Sequence, residues 1–142
     1  MNQTNNVDHS EIDKFSKLAS QWWDTDGPMK PLHQLNPLRL QFVQEHTPLP
    51  HSKLVDVGCG GGIFSESLAK AGAVVTGIDM SADALQVAQE HANEEQVTVD
   101  YQQTTAEQFA AQHTQSFDIV TCMEMLEHVP EPANVPIAMR SL

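Results

Sequence analysis

Apolar and polar positions along this chain follow two periods that succeed one another. From Lys53 onward, short runs of strand character near 53–57, 73–78, 97–102 and 117–122 are separated by segments with helical spacing near 62–71, 81–92 and 105–112. Strand and helix in regular succession predict a parallel sheet with right-handed crossovers and helices on both faces. Ahead of this region, Ile12, Phe15, Leu18, Ala19, Trp22 and Trp23 fall at helical spacing within 8–23, and Asp8 with Glu11 resembles a capping box. Gly27, Pro28 and Pro31 predict a loop. Asn36 as cap and Pro37 at the first helical position predict a helix to about His46, ended by Pro48 and Pro50. The chain is thereby expected to divide into an N-terminal helical cap, 1–50, and an α/β domain, 51–142.

The first strand-to-helix junction reads L-V-D-V-G-C-G-G-G from Leu54 to Gly62. An apolar run ending in Asp56, a glycine turn and the amphipathic segment Ile63–Lys70 make a strand–loop–helix unit. Such a unit holds an adenosine-containing cofactor against bare backbone. Gly58 and Gly60 admit a ligand where a side chain would collide. Neighbouring amides are expected to receive a carboxylate, and Asp56 to order an ammonium group directly or through water; the alternative is a tight turn without a ligand. Gly58, Gly60 and Gly62 space as G-x-G-x-G, and Ile63 stands where the dinucleotide fingerprint needs its third glycine. The motif resembles motif I of the class I methyltransferases that use S-adenosylmethionine, which implies their Rossmann-like, doubly wound α/β fold.

Length and charge narrow the picture. The 142 residues suffice for one domain with a real core. Nineteen acidic residues against seven basic ones leave a net charge of −12, which argues against a nucleic-acid partner. No apolar run approaches the ~20 residues of a membrane span. The N-terminus lacks the basic and apolar regions of a signal peptide, so a cytoplasmic location is expected. Cys59 and Cys122 are expected to be reduced, structural thiols.

Other polar residues are candidates for chemistry. Asp79, at the end of the second strand, is placed to accept both ribose hydroxyls or to cap the helix from Ser81. Met80 either packs on the adenine or belongs to the core. Met123 ends the fourth strand and is expected to face the cofactor cleft. Glu124, Glu127 and His128 stand at i, i+3 and i+4 and share one face of a helical turn. They are candidates for a divalent-cation site open to a catecholate, or His128 for a general base toward a phenol. The alternative is a capped loop with solvated carboxylates. Arg39 either reaches the cofactor or makes a surface ion pair. Trp22 and Trp23 belong to the core or to a lid, in which His33 is a candidate polar group.

Taken together, the chain resembles the ubiquinone-biosynthesis O-methyltransferases, bacterial enzymes that methylate polyprenylated phenol and catechol intermediates. The resemblance runs from Asn6 to about Arg140. Its specific segments are Asn6-Val-Asp-His, Trp22-Trp-Asp, Lys30-Pro-Leu-His33, Asn36-Pro-Leu-Arg-Leu40, Asp56 to Gly62 and Cys122 to Pro130. It implies S-adenosylmethionine contacts from Arg39, Gly58, Asp79 and Met123, and a role for Glu124, Glu127 and His128 with magnesium. It further implies O-methylation with His128 and Glu124 as catalytic groups, a peripheral place at the inner membrane, and membership of a ubiquinone-biosynthesis complex. About four strands are legible where the class has seven, and the family continues into a segment linked to membrane contact, so a C-terminally truncated chain is expected. Two rival readings are an NAD-dependent oxidoreductase on the same βαβ unit and a non-catalytic cofactor-binding module.

Overall fold

A computed structural model describes residues 19–123, in which the alternation of strand and helix builds a four-stranded parallel sheet. The strands are β1 (Lys53–Val57), β2 (Val74–Asp79), β3 (Asp100–Gln103) and β4 (Ile119–Thr121), in the order β3-β2-β1-β4. The helices are α1 (Lys30–His46), α2 (Ile63–Lys70), α3 (Ala82–Glu94) and α4 (Ala106–Gln112). Leu54 pairs with Val75 on one side and Ile119 on the other, which makes β1 central. A central parallel strand is covered on both faces, and so Leu54, Val55 and Val57 are all fully buried.

Alternation along β1 feeds two cores. Val55 and Val57 point to one face and pack with Ile78, Ala106, Phe109 and Ala110. Leu54 points to the other, with Val43, Leu49, Phe64, Leu68 and Val75. Caps close the helices locally: Ser81 Oγ accepts from the Ala84 amide at 3.2 Å, and Thr105 with Gln108 forms a complete capping box at α4. Strand order reverses around β1, since β2 lies on one side and β4 on the other. A crevice at the carboxyl ends of β1 and β4 follows from that switch.

Three expectations change. The helix expected from Asn36 begins at Lys30, because Pro31 falls in its first turn, where no N–H is required. Asn36 therefore lies inside α1, and its Nδ2 donates to Ser67 Oγ of α2 at 2.6 Å instead of capping. At the other end of the cap segment, Ala19–Gln21 is a short 3-10 turn and Trp22–Trp23 a turn rather than the end of a helix. The rest of that expected helix lies outside the described residues. Finally β3 starts at Asp100 rather than 97, because Gln96 adopts φ 56° and the Val97 amide bonds back to the Ala92 carbonyl at 2.9 Å. That bond is the 6→1 link of a helix exit, which claims Val97 for the end of α3. No helix among the described residues is long and apolar enough to cross a membrane.

Candidate functional site

The crevice at the switch point is lined from four directions. Asp56, Gly58 and Cys59 come from the end of β1, Ile63 and Phe64 from the start of α2, and Met123 from just beyond β4. α1 contributes Leu32, Asn36 and Arg39, three positions on one helical face, and Trp22 closes the remaining side. The crevice opens to solvent. Of the residues singled out from the sequence, Arg39, Asp56, Gly58 and Met123 meet here.

Asp56 is the chemical centre of the crevice. Only 3 % exposed, it accepts hydrogen bonds from Ser65 Oγ at 2.6 Å and Thr121 Oγ1 at 2.8 Å. Burial pushes its carboxyl up to about 6, with Asp79 adding to the rise. The two hydroxyl donors and the Arg39 charge pull in the other direction. Neither Ser65 nor Thr121 belongs to a motif that marks it in the sequence. Thr121 stands directly across from Asp56 in the β1–β4 register, a partnership legible only once strand order is known.

The glycine loop is tied to β2 rather than left open. The Gly58 and Cys59 amides donate to the Ile78 carbonyl at 2.8 and 3.0 Å, and the Gly62 amide donates to Cys59 O at 3.1 Å. The Gly60 amide donates to Asp79 Oδ2 at 2.8 Å. Of the loop amides expected to receive a carboxylate, those of Gly58, Cys59, Gly60 and Gly62 are thus engaged within the fold. Gly60 faces Trp22 instead of the crevice; a Cβ at Gly60 or Gly61 would come within 2.5 Å of that indole.

Asp79 holds two amides, Gly60 through Oδ2 and Ser81 through Oδ1 at 2.9 Å, while Ser81 rather than Asp79 caps α3. A carboxylate offers about four lone-pair sites, so acceptor capacity toward ribose hydroxyls remains. Met80 is half-buried beside it and uses its carbonyl to accept from Gln103 Nε2 at 3.1 Å. Burial raises the Cys59 thiol well above its ordinary value, which keeps it protonated and unreactive, in line with a structural role. Among the described residues Cys122 likewise forms no disulfide. His33 lies in α1 with Nε2 2.9 Å from the Trp22 carbonyl.

Glu124, Glu127 and His128 lie outside the described residues. Among the described ones, Glu66, His91 and Glu95 bring donor atoms within 4.8 Å of one another. The Lys70 ammonium already sits against both carboxylates, 3.4 Å from Glu66 and 3.0 Å from Glu95, and supplies the positive charge that this cluster requires.

Comparison with known proteins follows the same lines. The model of the methyltransferase-domain family matches residues 55–140. The ubiquinone biosynthesis O-methyltransferase of Saccharophagus degradans is 56 % identical over 137 residues, covering 96 % of this chain and 58 % of that protein. Its namesake in Klebsiella pneumoniae is 58 % identical over 131 residues, covering 92 % of this chain and 54 % of that protein. The chain thus spans little more than half the length of the curated relatives it matches. Among solved structures, the magnesium protoporphyrin IX methyltransferase of Synechocystis with bound SAM superposes with a TM-score of 0.71 at 24 % identity, over 91 % of this chain and 69 % of that one. At that identity the likeness is one of fold.

Proposed function

Because the chain belongs to the methyltransferase-domain family, we propose that it binds S-adenosylmethionine and forms the cofactor half of an O-methyltransferase. The proposed substrates are phenol or catechol hydroxyls of polyprenylated ubiquinone precursors, in line with the names of its relatives. The observation that carries this reading is the meeting of Arg39 and buried Asp56 in one crevice, beside Gly58 and Met123. An amino-acid moiety is a zwitterion, and this pair offers a cation for its carboxylate and an anion for its ammonium. A carboxylate pushed up by burial is also one that a cationic ligand relieves. When bound, S-adenosylmethionine supplies a methyl group already activated by its sulfonium.

The protein's part is then alignment and exclusion of water. Arg39 and Asp56 fix the amino-acid end, and Asp79 takes ribose hydroxyls with Met80 beside the base. Leu32, Ile63, Phe64 and Met123 give the crevice apolar walls, which displace water as ligand and substrate fill it, so that two opposite charges that cancel on reaction lose less solvation. His128 is assigned to take the phenol proton, with Glu124 and Glu127 as its companions toward magnesium, on sequence spacing and resemblance. The measurement is methyl transfer by the full-length enzyme: His128→Ala should lower turnover ~100-fold or more. Unchanged turnover with and without magnesium removes the assignment. A polyprenylated substrate would bring the protein to the inner membrane surface from the cytoplasm, and a ubiquinone-biosynthesis complex remains part of the proposal.

The binding claim is testable on this chain. Titration with S-adenosylhomocysteine by calorimetry should give saturable binding, with NAD as a silent control and circular dichroism reporting the fold. Arg39→Ala should weaken it by roughly 10- to 100-fold, the range for a charge-assisted bond. Binding of NAD instead would overturn the cofactor assignment. A folded chain that binds neither would overturn the cofactor assignment for this polypeptide.

A further inference from the structure

Trp22 and Trp23 are adjacent, yet their rings take different seats on the α/β domain. Trp22 is 6 % exposed and covers Gly60 and Gly61, forming one wall of the crevice. The Trp23 indole stacks on His91 of α3, with centroids 3.5 Å apart and planes 2° from parallel. Its Nε1–H donates to the Gly61 carbonyl at 2.9 Å. His91 in turn is held through Nδ1, 2.8 Å from Glu66 Oε2. An ionised Glu66 can only accept, and Nδ1–H is then the donor of this bond.

Glu66 is 1 % exposed, and it follows the glycine loop by one helical turn, its amide bonded to the Gly62 carbonyl. A buried carboxylate with a histidine is a poor way to gain stability, because apolar residues of similar volume pack at least as well there. What the pair does provide is a fixed ring plane for Trp23. Charges paired with it among the described residues are Lys70, 3.4 Å from Glu66, and, through Lys70, Glu95 at 3.0 Å. On the α1 side the seat is completed by His33, whose ring meets Trp23 edge-on at 5.5 Å and whose Nε2 lies 2.9 Å from the Trp22 carbonyl.

We propose that His91, oriented by Glu66, is a positioning residue that clamps the Trp22–Trp23 turn onto the glycine loop and thereby gates the cofactor crevice. The proposal rests on the cofactor reading given above. Ligand exchange on that side requires Trp22 to leave Gly60 and Gly61, which requires the Trp23–His91 stack and the Trp23–Gly61 bond to break together. His91 is not among the residues that line the crevice and reaches it through its stack on Trp23.

The chain contains two tryptophans, both in this turn, so intrinsic fluorescence reports the clamp without a label. His91→Gln keeps a donor for Glu66 but removes the flat ring. The expected result is a higher acrylamide quenching constant in the ligand-free variant and roughly 3- to 10-fold faster release of S-adenosylhomocysteine in stopped flow, the range for a lost aromatic stack. The Tm should change little. Unchanged quenching would overturn the clamp whether or not ligand binds, and raised quenching with unchanged release would overturn the gate. If wild-type chain binds no S-adenosylhomocysteine, the cofactor reading and the gate fall, whereas the quenching comparison still decides the clamp. Trp23→Leu provides a second route should His91→Gln unfold: Trp22 is then the single fluorophore, and its quenching should rise.

Discussion

Asp56→Asn is expected to make the chain more stable at pH 7.5 while removing most of its affinity for S-adenosylhomocysteine. The Asp56 carboxyl is buried and held near 6 against an ordinary 3.8, so the folded state keeps its proton to higher pH than the unfolded chain does. Between about pH 4 and pH 6 the folded state therefore binds more protons, and stability falls as pH rises through that window. Above pH 6 the penalty is complete, on the order of 3 kcal/mol for a shift of this size. Asparagine carries no charge to desolvate and is nearly the same shape. It can still accept from one of the two hydroxyls, Ser65 or Thr121, and donate to the other.

Denaturant unfolding at pH 4.5 and 7.5 isolates the effect as the difference between wild type and variant. That difference should grow toward higher pH. An Asn variant with no gain at pH 7.5 would show that Asp56 ionises without cost. Binding should move the opposite way, weaker by roughly 10- to 100-fold for one lost charged partner. Wild-type affinity should itself decline as pH drops below about 6, where Asp56 takes up its proton. A residue that destabilises the empty protein and strengthens ligand binding is a functional group rather than a structural one.

Gly62→Ala should destabilise the chain by about 3–5 kcal/mol, seen as a large fall in Tm. Gly62 is the N-cap residue of α2, at φ 88°, where an L side chain is strained. Its added Cβ would also collide with the Tyr101 hydroxyl and come within 3.0 Å of the Ala88 Cβ. Tyr101 Oη is buried with no hydrogen-bond partner among the described residues, so Tyr101→Phe alone should be near neutral or stabilising. Combined with Gly62→Ala it should recover the steric part and leave the backbone strain. Full additivity of the two changes would show that the collision does not contribute.

Much of the framework is legible in the sequence alone. The period of apolar residues placed β1 at its observed bounds, and α2, α3 and α4 within two residues of theirs, because each element is decided by neighbours a few positions away. The glycine loop and Asp56 were legible for the same reason: a turn that tight, flanked by strand and helix, has few chemical solutions. Where local signals failed, a distant partner decided. Asn36 reads as a cap but bonds Ser67, 31 residues away. Trp22 and Trp23 extend a helical pattern yet turn out of it to cover the glycine loop, 38 residues along for the Trp23–Gly61 bond.

The chain by itself determined the succession of elements, the loop and the acidic residue that ends β1, since these depend on short-range periodicity and backbone permission. Tertiary structure decided that the strands order as β3-β2-β1-β4, and so that Thr121 stands against Asp56 across 65 residues. It likewise brought Arg39 of α1 into the same crevice and engaged the loop amides that spacing alone suggested were free. Such pairings join segments whose approach is fixed by burial of both sheet faces, a constraint on the whole chain that no single stretch of it encodes.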